Sequence, residues 1–131
     1  MSQDDPLRVD SSGLVGLDRL ARHLGFHTRR QQLIAANLAN LDTPGYRAKE
    51  LRFVEELAVH VDASGQRSAE LSHQDVLVTA DDEVPDEDGN TVALERQSAR
   101  MVANHLRYQE LNELLSRKIG LLRYAATDGK S

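Results

Sequence analysis

With 131 residues, 4 % aromatics, no tryptophan and an apolar share of 40 %, the chain holds one domain at most and too little material for a thick core around a sheet; ordinary globular domains run at roughly 45–50 % apolar. The absence of cysteine excludes disulfides, thiolate catalysis and cysteine-ligated zinc. The net charge of −5 is unevenly spread: residues 53–96 hold twelve acidic against two basic side chains and both ends are mildly basic, a pattern that argues against nucleic-acid binding, which needs a basic stripe to displace counterions.

Residues 1–10, "MSQDDPLRVD", are acidic and carry no apolar stretch. They read as a flexible segment and not as a cleavable secretory signal. No run in the chain approaches the roughly 18 apolar residues of a membrane span. From residue 11 to residue 42 the pattern is helical. Leu17, Leu20, Leu24, His27, Gln31, Ile34, Leu38 and Leu41 alternate steps of three and four, and Ser11 or Ser12 can cap the start. Asp42-Thr43-Pro44-Gly45 then stops the helix abruptly. Pro44 pushes Thr43 out of the α region, and Pro44-Gly45 suits the centre of a type II turn. Ala35, Ala36 and Ala39 permit close backbone approach. Taken singly, Asn40 reads as a helix terminator and Asn37 as a solvent-facing residue.

Residues 43–90 read as a turn, a short helix and an acidic loop. "YRAKELRFVEELAVHV" predicts the short helix, using Leu51, Phe53, Leu57 and Val61. After Asp62-Ala-Ser-Gly65 the chain turns polar, with Val76-Leu77-Val78 as a brief strand, and "DDEVPDEDGN" is a loop by composition. Residues 91–126 predict the second long helix, capped by Asn90 or Thr91 after the Asp88-Gly89-Asn90 turn. Leu94, Met101, Tyr108, Leu115 and Leu122 recur every seven residues, with Ser98, His105, Asn112 and Ile119 on the alternate seam positions. Such a period supports left-handed coiled-coil packing. Val102, Leu106, Leu111, Leu114 and Leu121 widen the stripe, and Arg117, Lys118 and Arg123 complement the helix dipole. Residues 127–131 form a flexible tail.

The fold class expected is mainly α: two long terminal helices paired as a coiled-coil core domain, with a short irregular acidic middle. Polar residues interrupt both stripes, and Gly25 and Gly120 each cost about 1 kcal/mol relative to alanine in a helix. A lone helix pair of this kind is marginal, and a stripe wider than one seam implies contacts on more than one side.

No catalytic constellation emerges. His23 and His27 have a legitimate metal spacing without an intervening Glu of the HExxH kind. Asp81, Asp82, Glu83, Asp86, Glu87 and Asp88 do not fit the EF-hand spacing. No nucleophile elbow or phosphate loop is present, so neither enzyme activity, nor a cofactor, nor a metal is expected. A cytoplasmic coiled-coil dimer acting as an adaptor explains the seven-residue seam as well, but not the width of the stripe or the firm stop. A membrane-surface helix is weaker, since residues 11–41 carry four arginines and no tryptophan.

Two stretches are more specific. "AANLANLDTPGY", residues 35–46, resembles the N-terminal signature of the bacterial flagellar axial proteins, the rod and hook family. "DGNTVALERQSARMVANHLRYQELNELLSRKIGLLRYA", residues 88–125, is similar to the C-terminal half of the family's short proximal rod members. Leu41 stands where alanine is more usual. The resemblance implies a structural subunit of the proximal rod that polymerises through its terminal helices and transmits torque. It implies an assembly and turn motif at Asn37, Asn40, Thr43, Pro44, Gly45 and Tyr46, and a second turn motif at Asp88, Gly89 and Asn90. The helix seam read from the periodicity is Leu17, Leu24, Ile34, Leu38, Leu94, Met101, Tyr108, Leu115 and Leu122. Expected partners are copies of the chain, other flagellar rod proteins, the junction protein between rod and membrane ring, and the flagellar type III export apparatus. Nucleic acid and direct membrane insertion are not expected. The location implied is the periplasm-spanning rod of the basal body, reached without a cleaved signal.

Overall fold

A computed structural model of the chain describes residues 11–80 and 84–127, apart from the side chains of 11–15, 57, 58, 60 and 69–71. The expected flexible segment 1–10, residues 81–83 of the acidic loop, residues 128–131 of the tail and the side chains expected to cap the first helix lie outside the described residues. Four elements follow one another: helix α1 (Ser11–Ala39), strands β1 (Lys49–Val61) and β2 (Arg67–Thr79), and helix α2 (Leu94–Ala126). They form two compact units, one from the residues up to Thr28 and from Val102 onward, the other Arg29–Met101.

In the first unit α1 and α2 run antiparallel. The Lys118 side chain lies against Gly16, filling the space a Cβ would take, and further along α1, His27 bonds Asn104. Sequence order thus rises on one helix as it falls on the other. Leu17, Leu20 and Leu24 are half-buried, as the three-and-four periodicity requires, and Phe26, outside that series, is buried beside them. On α2 the column of Met101, Leu115 and Leu122 is half-buried, with Tyr108 38 % exposed. The alternate column differs from expectation. Ser98, His105, Asn112 and Ile119 are all exposed, and the inward positions lie one residue earlier, at Gln97, Asn104, Leu111 and Lys118. Three of those four are polar, so an apolar criterion chose the neighbouring column.

The second unit overturns the expected short helix and irregular middle. Residues 49–61 are a strand, paired antiparallel with residues 67–79 in unbroken register from Lys49↔Thr79 to Val61↔Arg67. Leu51, Phe53, Leu57, Val59 and Val61 fall on alternate residues, the period of a strand and not of a helix, and β-branched and aromatic residues favour the pleated conformation. Phe53 stacks diagonally on His73, ring centroids 5.5 Å apart. The loop that joins the strands is tight. Asp62 N–H donates to Gln66 O (3.1 Å), Gly65 N–H donates to Asp62 O (3.0 Å), and Gly65 has φ 79°. Among the described residues of this unit the fully buried apolar ones are Ile34, Ala48 and Ala80, and they are joined by the buried polar residues Asn37, Asn90, Thr91 and Gln97.

Candidate functional site

The polar interior joins the end of α1 to the start of α2. Asn37, 1 % exposed, uses both ends of its amide. Nδ2 donates to Lys49 O (2.8 Å) and to Gln97 Oε1 (3.3 Å), and Oδ1 accepts from Lys49 N–H (3.1 Å) and from the Tyr46 hydroxyl (3.3 Å). The bonds to Lys49 reproduce those a neighbouring strand would make, so this side chain stands in for a third strand at the first residue of β1. The solvent-facing position expected for Asn37 is therefore wrong; burial forces an amide to find partners for both ends.

Asn40 stays local, its Nδ2 donating to Ala36 O (2.8 Å) and its Oδ1 accepting from Thr43 Oγ1 (3.2 Å). The carbonyls left at the end of α1 are closed from elsewhere. Asn90 Nδ2 donates to Asn40 O, Leu41 O and Thr43 O at 2.8–2.9 Å, a helix C-cap supplied by a residue about fifty positions away. Its Oδ1 accepts from Val92 N–H (2.7 Å). Every helix end leaves carbonyls that need donors; here one buried amide supplies them.

The Pro44-Gly45 turn is of the predicted kind. Tyr46 N–H donates to Thr43 O (3.2 Å), and Gly45, third of the four residues, has φ 71°. Nothing lies within 4 Å of where its Cβ would be, so the demand for glycine comes from the backbone alone. The second turn lies against it: Gly45 N–H donates to Asp88 O (2.9 Å), and Gly89, φ 75°, faces the Gly45 Cα. Asp86 shapes that turn by accepting from Asp88 N–H (3.0 Å) and Asn90 N–H (2.8 Å). Two further bonds complete the clamp, Thr91 N–H to Tyr46 O (3.0 Å) and Ala48 N–H to Thr91 Oγ1 (2.7 Å).

The two sequence motifs thus meet in one structure. Asn37, Thr43, Gly45 and Tyr46 are tied to residues 88–97, and Asn40 shares Asn90 with Leu41 and Thr43, while Pro44 is exposed and acts through its ring. Of the seam residues, Ile34 is buried, Leu17, Leu24, Leu38, Met101, Leu115 and Leu122 are half-buried, and Leu94 is 48 % exposed. Sequence reasoning passed over Gln97, Thr91 and Asn104 as site residues. For Gln97 and Asn104 the available signal was their spacing of seven, continued by Leu111 and Lys118.

The clamp has no reactive chemistry. Its donors and acceptors are amides, hydroxyls, backbone groups and the Asp86 carboxylate, bonded to one another. His27 of the metal-spaced pair bonds Asn104. Among the described residues no group of three or more His, Asp or Glu side chains is arranged to hold a metal, and no helix is long and apolar enough to cross a membrane. What the arrangement does is fix the direction in which the chain leaves α1 and re-enters α2.

Residues 28–47 match the family profile described as flagella basal body rod protein. Over longer stretches the chain is similar to the flagellar basal body rod protein FlgB of Salmonella typhimurium, 32 % identical over 120 residues, covering 71 % of this chain and 84 % of the relative. The FlgB of Escherichia coli K12 is 34 % identical over 112 residues, covering 73 % and 81 %. The FlgB of Bacillus subtilis 168 is 28 % identical over 109 residues, covering 77 % and 84 %.

Proposed function

Because the chain belongs to the flagellar basal body rod proteins and is a structural subunit of the rod, we propose that its terminal helices pair as a coiled-coil core through which it assembles with copies of itself and with other rod proteins. The carrying observation is the clamp: residues matched to the family close the end of α1 and are held by the loop that opens α2. A subunit that transmits torque must pass load through its helices into neighbours without unravelling at their ends. Capping by Asn90 and strand mimicry by Asn37 supply that resistance through hydrogen bonds, which are directional where a small apolar core is not.

On this reading the junction protein between rod and membrane ring and the type III export apparatus are further partners, and the subunit reaches the periplasm-spanning rod without a cleaved signal. Residues 11–42 and 91–126 serve as the core helices of the assembled subunit, joined in sequence by the hairpin and the acidic loop. The adaptor reading accounts for the seven-residue seam but not for the clamp that closes the end of α1.

Gly45→Val tests the clamp's part in assembly. A β-branched residue tolerates positive φ poorly, so the variant should be made and exported but be scarce in purified basal bodies, with motility lost. Pro44→Ala, which removes a preference and not an allowed conformation, should be milder. Full incorporation of Gly45→Val would reduce the clamp to an ordinary helix end.

A further inference from the structure

From Val102 onward, within the first unit, α2 offers α1 two seams of nearly equal apolar content. Both use the column Tyr108, Leu115 and Leu122. One adds Asn104, Leu111 and Lys118, the other His105, Asn112 and Ile119, so each brings one aliphatic side chain and two polar ones. Passing from the first to the second turns the helix by roughly 50°, half the step between successive residues. Apolar burial does not choose between them, yet the helix takes the first. Asn104 is 3 % exposed, Leu111 and Lys118 are half-buried, and His105, Asn112 and Ile119 are exposed.

We propose that the Asn104–His27 pair is the lock that sets this rotation, and that it holds His27 as the tautomer with its proton on Nδ1. Asn104 Nδ2 donates to His27 O at 2.8 Å, which turns Oδ1 toward the ring, 2.7 Å from His27 Nδ1. The reversed amide would set one carbonyl oxygen against another. Oδ1 only accepts, so Nδ1 must donate, and the bond that a ring nitrogen makes decides the tautomer. One amide thus grips the ring and the backbone of a single residue on α1. A turn of roughly 50° on a cylinder of about 2.3 Å radius moves the Asn104 Cα by about 2 Å and the amide farther, enough to break both bonds. Gly16 favours the same setting, because its missing side chain leaves the room that Lys118 occupies. A buried polar pair that singles out one packing is the best-attested use of such groups between paired helices. The inference concerns the single chain and stands independently of the assembly reading.

The experiment has two readouts on the full chain, with helicity checked for each variant. Imidazole nitrogen resonances of the unaltered protein, recorded where the ring is neutral, should show His27 protonated on Nδ1 and bare on Nε2. The second readout is thiol labelling of Leu111→Cys and Asn112→Cys, neighbours that belong to the two rival seams, made one at a time in a chain with no cysteine of its own. With Asn104 in place, Asn112→Cys should react at least about tenfold faster than Leu111→Cys, since access governs the rate. Adding Asn104→Ala should speed Leu111→Cys and slow Asn112→Cys, the opposite movements that a rotation produces; mere loosening would speed both. Equal rates with Asn104 in place, rates that both rise or both stay on adding Asn104→Ala, or a neutral His27 with its proton on Nε2 would each overturn the proposal. Should Asn104→Ala lose helicity, the tautomer of the unaltered chain decides: a proton on Nε2 overturns the lock, and one on Nδ1 upholds it.

Discussion

Two asparagines three residues apart on α1 differ in their consequences because of burial. Asn40 is half-buried and bonds within its own turn, while Asn37 is enclosed and bonds Lys49, Tyr46 and Gln97. Asn90 is the third amide of the set, with two hydrogens shared among three carbonyls. Asn90→Ala should lower stability to urea by about 1–3 kcal/mol, the usual cost of stranding buried polar groups. Asn90→Asp should be worse, since a carboxylate would face three carbonyl oxygens. Asn40→Ala should stay within about 0.5 kcal/mol, the range of ordinary surface changes. An aspartate at 90 no more harmful than alanine would deny that the amide hydrogens form the cap.

At the scale of elements the hairpin depends on its two ends. A two-stranded sheet alone is marginal in water. Its base is anchored by Asn37, by the Arg30–Glu50 pair at 3.2 Å and by Arg29 against Asp75. Its tip relies on Asp62, whose Oδ1 accepts from Ser64 Oγ (2.6 Å), Gln66 N–H (2.9 Å) and Ser64 N–H (2.9 Å). The Ser64 hydroxyl first, and the Gln66 N–H after it, hold the Asp62 carboxyl below its ordinary pKa. A carboxylate with a lowered folded pKa contributes order above its unfolded pKa and loses it as pH falls through the folded value. The Gln66 amide resonance should therefore move in an acid titration with a midpoint below the normal aspartate range. Asp62→Ala should abolish that movement and release the Gln66 amide to exchange; an unchanged titration would assign it to another group.

At the scale of the whole molecule the proposed assembly rests on the apolar seam. Leu115 is half-buried in the column shared with Met101 and Leu122. Leu115→Asp should cost about 2–5 kcal/mol unless the carboxylate reaches water or is neutralised, and cells carrying it should secrete the subunit yet fail to swim. Motile cells would remove Leu115 from the interface. The sequence by itself determined both long helices, the stop at Pro44-Gly45 and the family. Each of these rests on a local rule: a periodicity of three and four, a proline that bars the α region, a glycine that accepts positive φ. The middle was half legible. Alternation from Leu51 to Val61 carried the strand, but leucine and glutamate are good helix formers, and only pairing with residues 67–79 supplied the hydrogen bonds that decide for a strand. What tertiary structure alone decided is the polar interior. Asn37, Asn90, Gln97 and Asn104 look like surface residues to any apolar criterion, because a buried amide is worth its place only when its partners, up to 77 residues away, are already beside it. That condition belongs to the fold and is written in no single stretch of the chain.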